Sequence, residues 1–159
     1  MIFRPPLAVR LAVPHVQQRT NGECLAACAA MCLGYLKRPV RYERLVKLLA
    51  IEPGLGTQFS NIRKLERLKL GVSYRMYGTL EELYTYLAAG WPCIASVQTQ
   101  ELPYWNGVNV YHAVVVVGMD ATQVYLNDPE LPAAPVPVPL GDFDLAWLAQ
   151  DETYVVIGG

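Results

Sequence analysis

A chain of 159 residues that is 53% hydrophobic and 17% charged has the apolar content for one compact domain over 1–159, and disorder is excluded. A formal net charge of −1 gives no reason to expect nucleic acid or an anionic membrane as partner. No apolar run approaches the roughly 18 residues that span a bilayer, and the N-terminus, broken by Arg4, Arg10 and several prolines, lacks the order of a secretory signal.

Residues 7–13 read as a short strand or extended arm, and 15–22 as a polar loop. A helix follows over 23–36, apolar nearly all round and therefore central, with Gly34, Lys37 and Pro39 at its end. Tyr42, Leu45, Val46 and Leu49 make the stripe of a second helix, and Ile62, Leu65 and Leu68 that of a third, which Ser60 is placed to cap. Between them lies the glycine-containing loop GLGTQFS. Gly71 ends the third helix, and 72–77 alternates as a strand. Thr79 and Glu82 form a capping box for a helix that Gly90 stops.

The second half reads mostly as sheet. Strands are expected over 92–97 and 110–117, the latter central and β-branched, with 123–126 as a hairpin partner turning near Asp120. The proline-rich run LPAAPVPVP shows no periodicity. Asp142 is placed to cap a short helix containing Leu145 and Leu148, and 153–157 is a last strand. Short consecutive strands favour antiparallel pairing, so the class is α+β, a helical half packed on an antiparallel sheet. The terminal Gly158-Gly159 reads as a plain chain end.

The chemistry centres on residues 18–35, QRTNGECLAACAAMCLGY. Cys24 stands where polar loop becomes buried helix, and a thiol at a helix N-terminus meets unpaired N–H groups that favour the nucleophilic thiolate. Cys28 and Cys32 lie on successive turns of the same helix and, with Cys93, read as core thiols, neither a disulfide framework nor a metal site. Reduced thiols fit a cytoplasmic setting.

A cysteine nucleophile needs a base, a group that orients the base, and donors for the oxyanion. His15 and His112 are the two histidines; His112 interrupts the apolar strand, where an imidazole needs partners. In a hairpin centred near Asp120, residues 112 and 128 fall opposite each other, which brings the Asp128 carboxylate to His112; Asn127 points to the other face. A glutamine amide shortly before the cysteine is a candidate oxyanion donor, with Gln18 and Gln17 both in place.

Gln18, the Cys24-Leu25-Ala26-Ala27-Cys28 helix opening, His112 on a Val-rich strand and Asn127-Asp128-Pro129 together resemble papain-like cysteine peptidases of the C39 type, which process bacteriocin leaders after double-glycine motifs. The resemblance runs from about residue 13 to 157. It implies a papain-like fold, hydrolysis of a peptide bond, and roles for Cys24 as nucleophile, His112 as base, Asp128 as orienting acid and Gln18 as oxyanion donor. It implies no cofactor and no metal, a peptide or protein substrate, and a cleft walled by the loops of Gly56 and of Tyr104 and Trp105. Two features depart from the family. Glu23-Cys24-Leu25 stands where Asp-Cys-Gly is usual, and the chain reads as a free-standing relative, with any partner exporter encoded separately. An acyltransferase or transamidase, which needs the same nucleophile, and a non-catalytic peptide-binding module remain alternative readings.

Overall fold

The computed structural model describes residues 2–158; Gly159 of the terminal Gly-Gly pair lies outside the described residues. Strand β4 (Tyr111–Met119) is the spine of the fold. Its residues 112–119 are all buried, as expected of a strand covered on both faces. The sheet around it is antiparallel throughout, in the order β2 (Gly71–Arg75), β7 (Tyr154–Gly158), β3 (Cys93–Gln98), β4, β5 (Gln123–Asn127), β6 (Val136–Pro139), with β1 (Val9–Arg10) also on β4.

Alternate residues of β4 feed two cores. Ala113, Val115 and Val117 pack with helices α1 (Cys24–Tyr35) and α2 (Tyr42–Leu48) and the 3-10 helix Phe59–Leu68. Val114 and Val116 pack with α3 (Leu80–Ala88) and α4 (Leu140–Leu148). Helices therefore cover both sheet faces, where the sequence suggested a helical half against a sheet half. Within α1, Leu25–Ala29 and Met31–Leu33 are buried, so the helix start is held from all sides.

Several local expectations change. The first strand shortens to two residues, since Pro5, Pro6 and Pro14 cannot donate to a ladder. It runs so close to β4 that a Cβ on Gly118 would lie 2.6 Å from the Val9 carbonyl oxygen. The 59–68 helix is 3-10, starts after an extended Gln58 without a side-chain cap, and includes Ser60 instead of being capped by it. It ends on Lys69 in the left-handed region, two residues before Gly71, which opens β2. Half of the capping box forms: Thr79 Oγ1 accepts from the Glu82 N–H at 3.1 Å, while the Glu82 carboxylate accepts from the Thr79 and Tyr154 hydroxyls at 3.3 and 2.9 Å. Asp142 falls inside the first turn of α4, whose N-cap is Pro139; Leu145 and Leu148 are exposed while Phe143 and Trp147 fill the core.

The proline-rich run contains β6, which the sequence hid. Val136 and Val138 alternate with Pro137 and Pro139 opposite β5. On an edge strand, alternate residues turn their N–H away from the neighbour, and proline is tolerated there.

Candidate active site

The site is assembled from three stretches remote in sequence: the start of α1, the start of β4, and the turn after β5. Cys24 is the first residue of α1, and no side chain caps that helix. The Glu23 carboxylate, next to the terminus, is drawn away to the Tyr42 hydroxyl at 2.8 Å and the Thr20 N–H at 3.3 Å. The first-turn N–H groups therefore remain uncapped by side chains, an arrangement suited to a developing anion.

His112 Nε2 meets Asp128 Oδ1 at 2.6 Å. The register behind this contact differs from a hairpin centred on Asp120. Val115 pairs with Asn127 and Val116 with Leu126, and a bulge follows before Gly118. This pairing puts Asp128 opposite residue 114 if extended, two positions from His112. A shift of two preserves the sheet face, so the side chains meet diagonally. Asn127 turns elsewhere, donating to the Val13 carbonyl at 3.1 Å.

Asp128 is fully buried and receives four hydrogen bonds. His112 and the Glu130 N–H (2.9 Å) reach Oδ1, while the Tyr104 hydroxyl and Trp105 Nε1 (3.0 Å) reach Oδ2. Burial opposes the Asp128 charge, yet the bonds from His112 and Tyr104 hold its pKa below the ordinary carboxylate value. Burial likewise disfavours the His112 imidazolium; hydrogen bonds and charge from Asp128 and Cys24 outweigh it and carry the pKa up to about 10. Burial, reinforced by Asp128, raises the Tyr104 phenol.

With Nε2 on Asp128, Nδ1 is the ring nitrogen left free toward the cavity that His112 shares with Cys24. That cavity, of about 570 Å³, is lined also by Gly22, Leu25, Gly56 and Phe59 on one side and Ser96, Tyr111 and Gln150 on the other. Gly22 and Gly56 make this wall by close approach: a Cβ on Gly22, at φ +89°, would lie 2.6 Å from the Gly56 nitrogen. All four cysteines are free, and Cys24 alone is not fully buried. Burial pushes the Cys28 thiol well up and Cys32 up to about 12.

The other sequence candidates are distributed around this centre. Gln18 is tied to the turn after β5: its backbone N–H donates to the Pro129 carbonyl at 2.8 Å and its Nε2 to the Glu130 carboxylate at 3.0 Å. Its Oε1 is buried without a partner. Gln17 donates to the Glu130 carbonyl at 3.2 Å, and His15 meets the Leu131 carbonyl at 2.6 Å. Tyr104 and Trp105 turn their polar atoms onto Asp128, and the Trp105 ring sits edge-on to His112 with centroids 5.0 Å apart. Gly56 forms cavity wall. Sequence reasoning did not find Glu130, Ser96 or Gln150. The donors to Asp128 were inferable in kind, because a buried carboxylate must be satisfied.

An α+β chain with helices on both faces of an antiparallel sheet, and a cysteine at the start of its buried helix beside a histidine–carboxylate pair, has the papain-like architecture. Residues 10–154 match the model of the Peptidase_C39 like family, and the chain belongs to that family. Among solved structures, the chain is similar to a protein described as a C39-like peptidase from Bacillus anthracis, with TM-score 0.78, 22% identity, and 96% of this chain and 98% of the other covered. It is also similar to a double glycine motif protease from an AMS/PCAT transporter, solved with the leader peptide (TM-score 0.70, 22% identity, 98% of each chain covered). A third is the peptidase domain of Streptococcus ComA, a bi-functional ABC transporter of a quorum-sensing pathway (TM-score 0.73, 18% identity, 91% and 96% covered). No curated protein matches the sequence.

Proposed function

We propose that the chain is a cysteine peptidase that hydrolyses a peptide bond through Cys24, His112 and Asp128. The observation that carries this is that Cys24 and His112 line one open cavity while the buried Asp128 carboxylate holds the far side of the His112 ring at 2.6 Å. The thiol proton passes to His112 Nδ1 and the sulfur attacks the carbonyl carbon. The carbonyl π electrons become an oxyanion that accepts from the Cys24 N–H and from Gln18 Nε2. As the intermediate collapses, the C–N bond breaks and the imidazolium protonates the leaving amine. His112 then takes a proton from water, the hydroxide attacks the thioester, and the acid leaves as the thiol re-forms.

Asp128 fixes the ring so that Nδ1 faces sulfur, and it sustains the imidazolium on which the leaving-group step depends. Tyr104 and Trp105 hold Asp128 in turn. The wall built from Gly22 and Gly56 offers backbone to an extended peptide.

A leader with Gly-Gly before the scissile bond is the first substrate to test, because one similar structure is a double glycine motif protease from a transporter, solved with the leader peptide, and another is the peptidase domain of an ABC transporter. That reading puts the reaction on the cytoplasmic side of a transporter. Cys24→Ala is expected to keep the circular dichroism of the fold and lose cleavage of such a peptide. Undiminished turnover by that variant refutes the assignment. Product masses with and without an added amine separate hydrolysis from acyl transfer.

A further inference from the structure

The geometry points to Glu130 as the positioning residue for the oxyanion-binding amide of Gln18, an inference that rests on the peptidase reading above. The Glu130 carboxylate is the hydrogen-bond partner of the Gln18 side chain, accepting from Nε2 at 3.0 Å, while Gln18 Oε1 is buried with no partner. An amide free to choose would not strand an acceptor. A charge-assisted bond is roughly twice as strong as a neutral one, so the ionised carboxylate dictates which end of the amide it receives. An amide nitrogen carries two hydrogens, and Glu130 takes one, leaving the second for an oxyanion.

Glu130 is suited to this because its backbone is already built into the site. Its N–H donates to Asp128 Oδ1 at 2.9 Å and its carbonyl accepts from Gln17 at 3.2 Å, while the preceding Pro129 carbonyl holds the Gln18 backbone at 2.8 Å. One short turn thus joins the acid that orients His112 to the amide that receives the oxyanion. The side chain of Glu130 is exposed, so its charge is screened by water from the developing oxyanion. Its replacement leaves the backbone contacts in place.

Two reagents separate positioning of the oxyanion donor from general support of the fold. A peptide aldehyde, acetyl-glycyl-glycinal, adds the Cys24 sulfur to its carbonyl carbon and generates an oxygen that needs the donors. Iodoacetamide alkylates the same sulfur by displacing iodide and makes no oxyanion. Glu130→Ala should weaken aldehyde binding about tenfold, short of the roughly 10²-fold or greater loss from deleting an oxyanion donor outright, and leave the alkylation rate unchanged. Glu130→Gln, whose carbonyl still accepts from Nε2, should recover most of the loss. In a Gln18→Ala background Glu130→Ala should add nothing.

Unchanged aldehyde affinity in Glu130→Ala, equal slowing with both reagents, or effects that add to those of Gln18→Ala would each overturn the proposal. If neither reagent modifies Cys24 in the wild-type chain, the nucleophile itself is misassigned and the inference falls with it. Normal wild-type alkylation together with an aldehyde affinity that does not depend on Glu130 removes only the positioning role.

Discussion

Asp128→Asn replaces a carboxylate by an amide of the same shape and should cost far more than its volume suggests. Four donors converge on two oxygens: His112 Nε2 and the Glu130 N–H on Oδ1, the Tyr104 hydroxyl and Trp105 Nε1 on Oδ2. An amide offers one acceptor oxygen, so two donors must face its NH2 group whichever way it lies. The better orientation keeps oxygen toward His112 and Glu130, because the Tyr104 hydroxyl can rotate to accept whereas the indole N–H cannot. One buried donor is then stranded, at about 1–3 kcal/mol, to which the loss of the charge beside the imidazolium adds. That loss has a pH signature. The His112 pKa is raised to about 10 by Asp128 and Cys24 against burial, so its stabilisation is complete below the unfolded value of about 6.5 and drains away as pH climbs toward the folded value. The lowered pKa of Asp128 works in the acid range: its contribution is present above the unfolded value of about 3.9 and is lost as pH falls through the folded one. Urea unfolding of both proteins at about pH 5.5, 7 and 8.5 reads the difference directly. The wild type should lose stability with rising pH, by up to about 1.4 kcal/mol per unit for this one proton, while the variant stays flatter, so the gap narrows. A gap that is constant or widens with pH would show that the carboxylate does not sustain a charged His112.

Trp105→Phe keeps the ring against His112 and deletes the N–H on Asp128; about 1 kcal/mol of stability should go in denaturant unfolding, with kcat reduced more than KM is raised. Gly22→Ala sets a Cβ 2.6 Å from the Gly56 nitrogen in a left-handed backbone, so a loss of about 2 kcal/mol or more in unfolding and weaker peptide binding are expected together. Brief treatment with iodoacetamide should label one thiol of the four, and peptide mass mapping should place it on Cys24; comparable labelling of Cys28, Cys32 or Cys93 would contradict their burial.

What the sequence revealed about this site follows from how local each signal is. Cys24 was visible because a polar loop running into an apolar helix marks both a helix start and a buried helix within one short stretch. The pairing of His112 with Asp128 was visible because a hairpin is the one long-range geometry that a nearby turn determines. The exact register was not, since the bulge between Val116 and Gly118 leaves no compositional trace. Strand β6 was hidden because its prolines are read as breakers, and their tolerance depends on an edge position that tertiary structure alone defines. Tyr104 and Trp105 were recognisable as aromatics before the histidine strand, but their direction was not: the fold turns their hydrogen-bonding atoms onto the buried carboxylate. Glu130 carried no signal at all, because an exposed glutamate after a proline looks like any surface residue.

In the proposed peptidase, position selects which of the three cysteines of α1 reacts. Cys24, Cys28 and Cys32 share a residue type, a helix and a four-residue spacing. At Cys28 and Cys32 the sulfur is enclosed by the core, and burial alone drives the thiol pKa upward, because an anion there would have no water and no donors. One turn earlier the same side chain lines an open cavity, beside uncapped N–H groups and an imidazole whose proton Asp128 helps to retain. The apolar packing that buries the second and third thiols is also what holds the helix start rigid against β4. Enlarging the core at Cys28 or Cys32 should therefore disturb Cys24 through α1 itself, lowering reactivity without touching any group in the cavity.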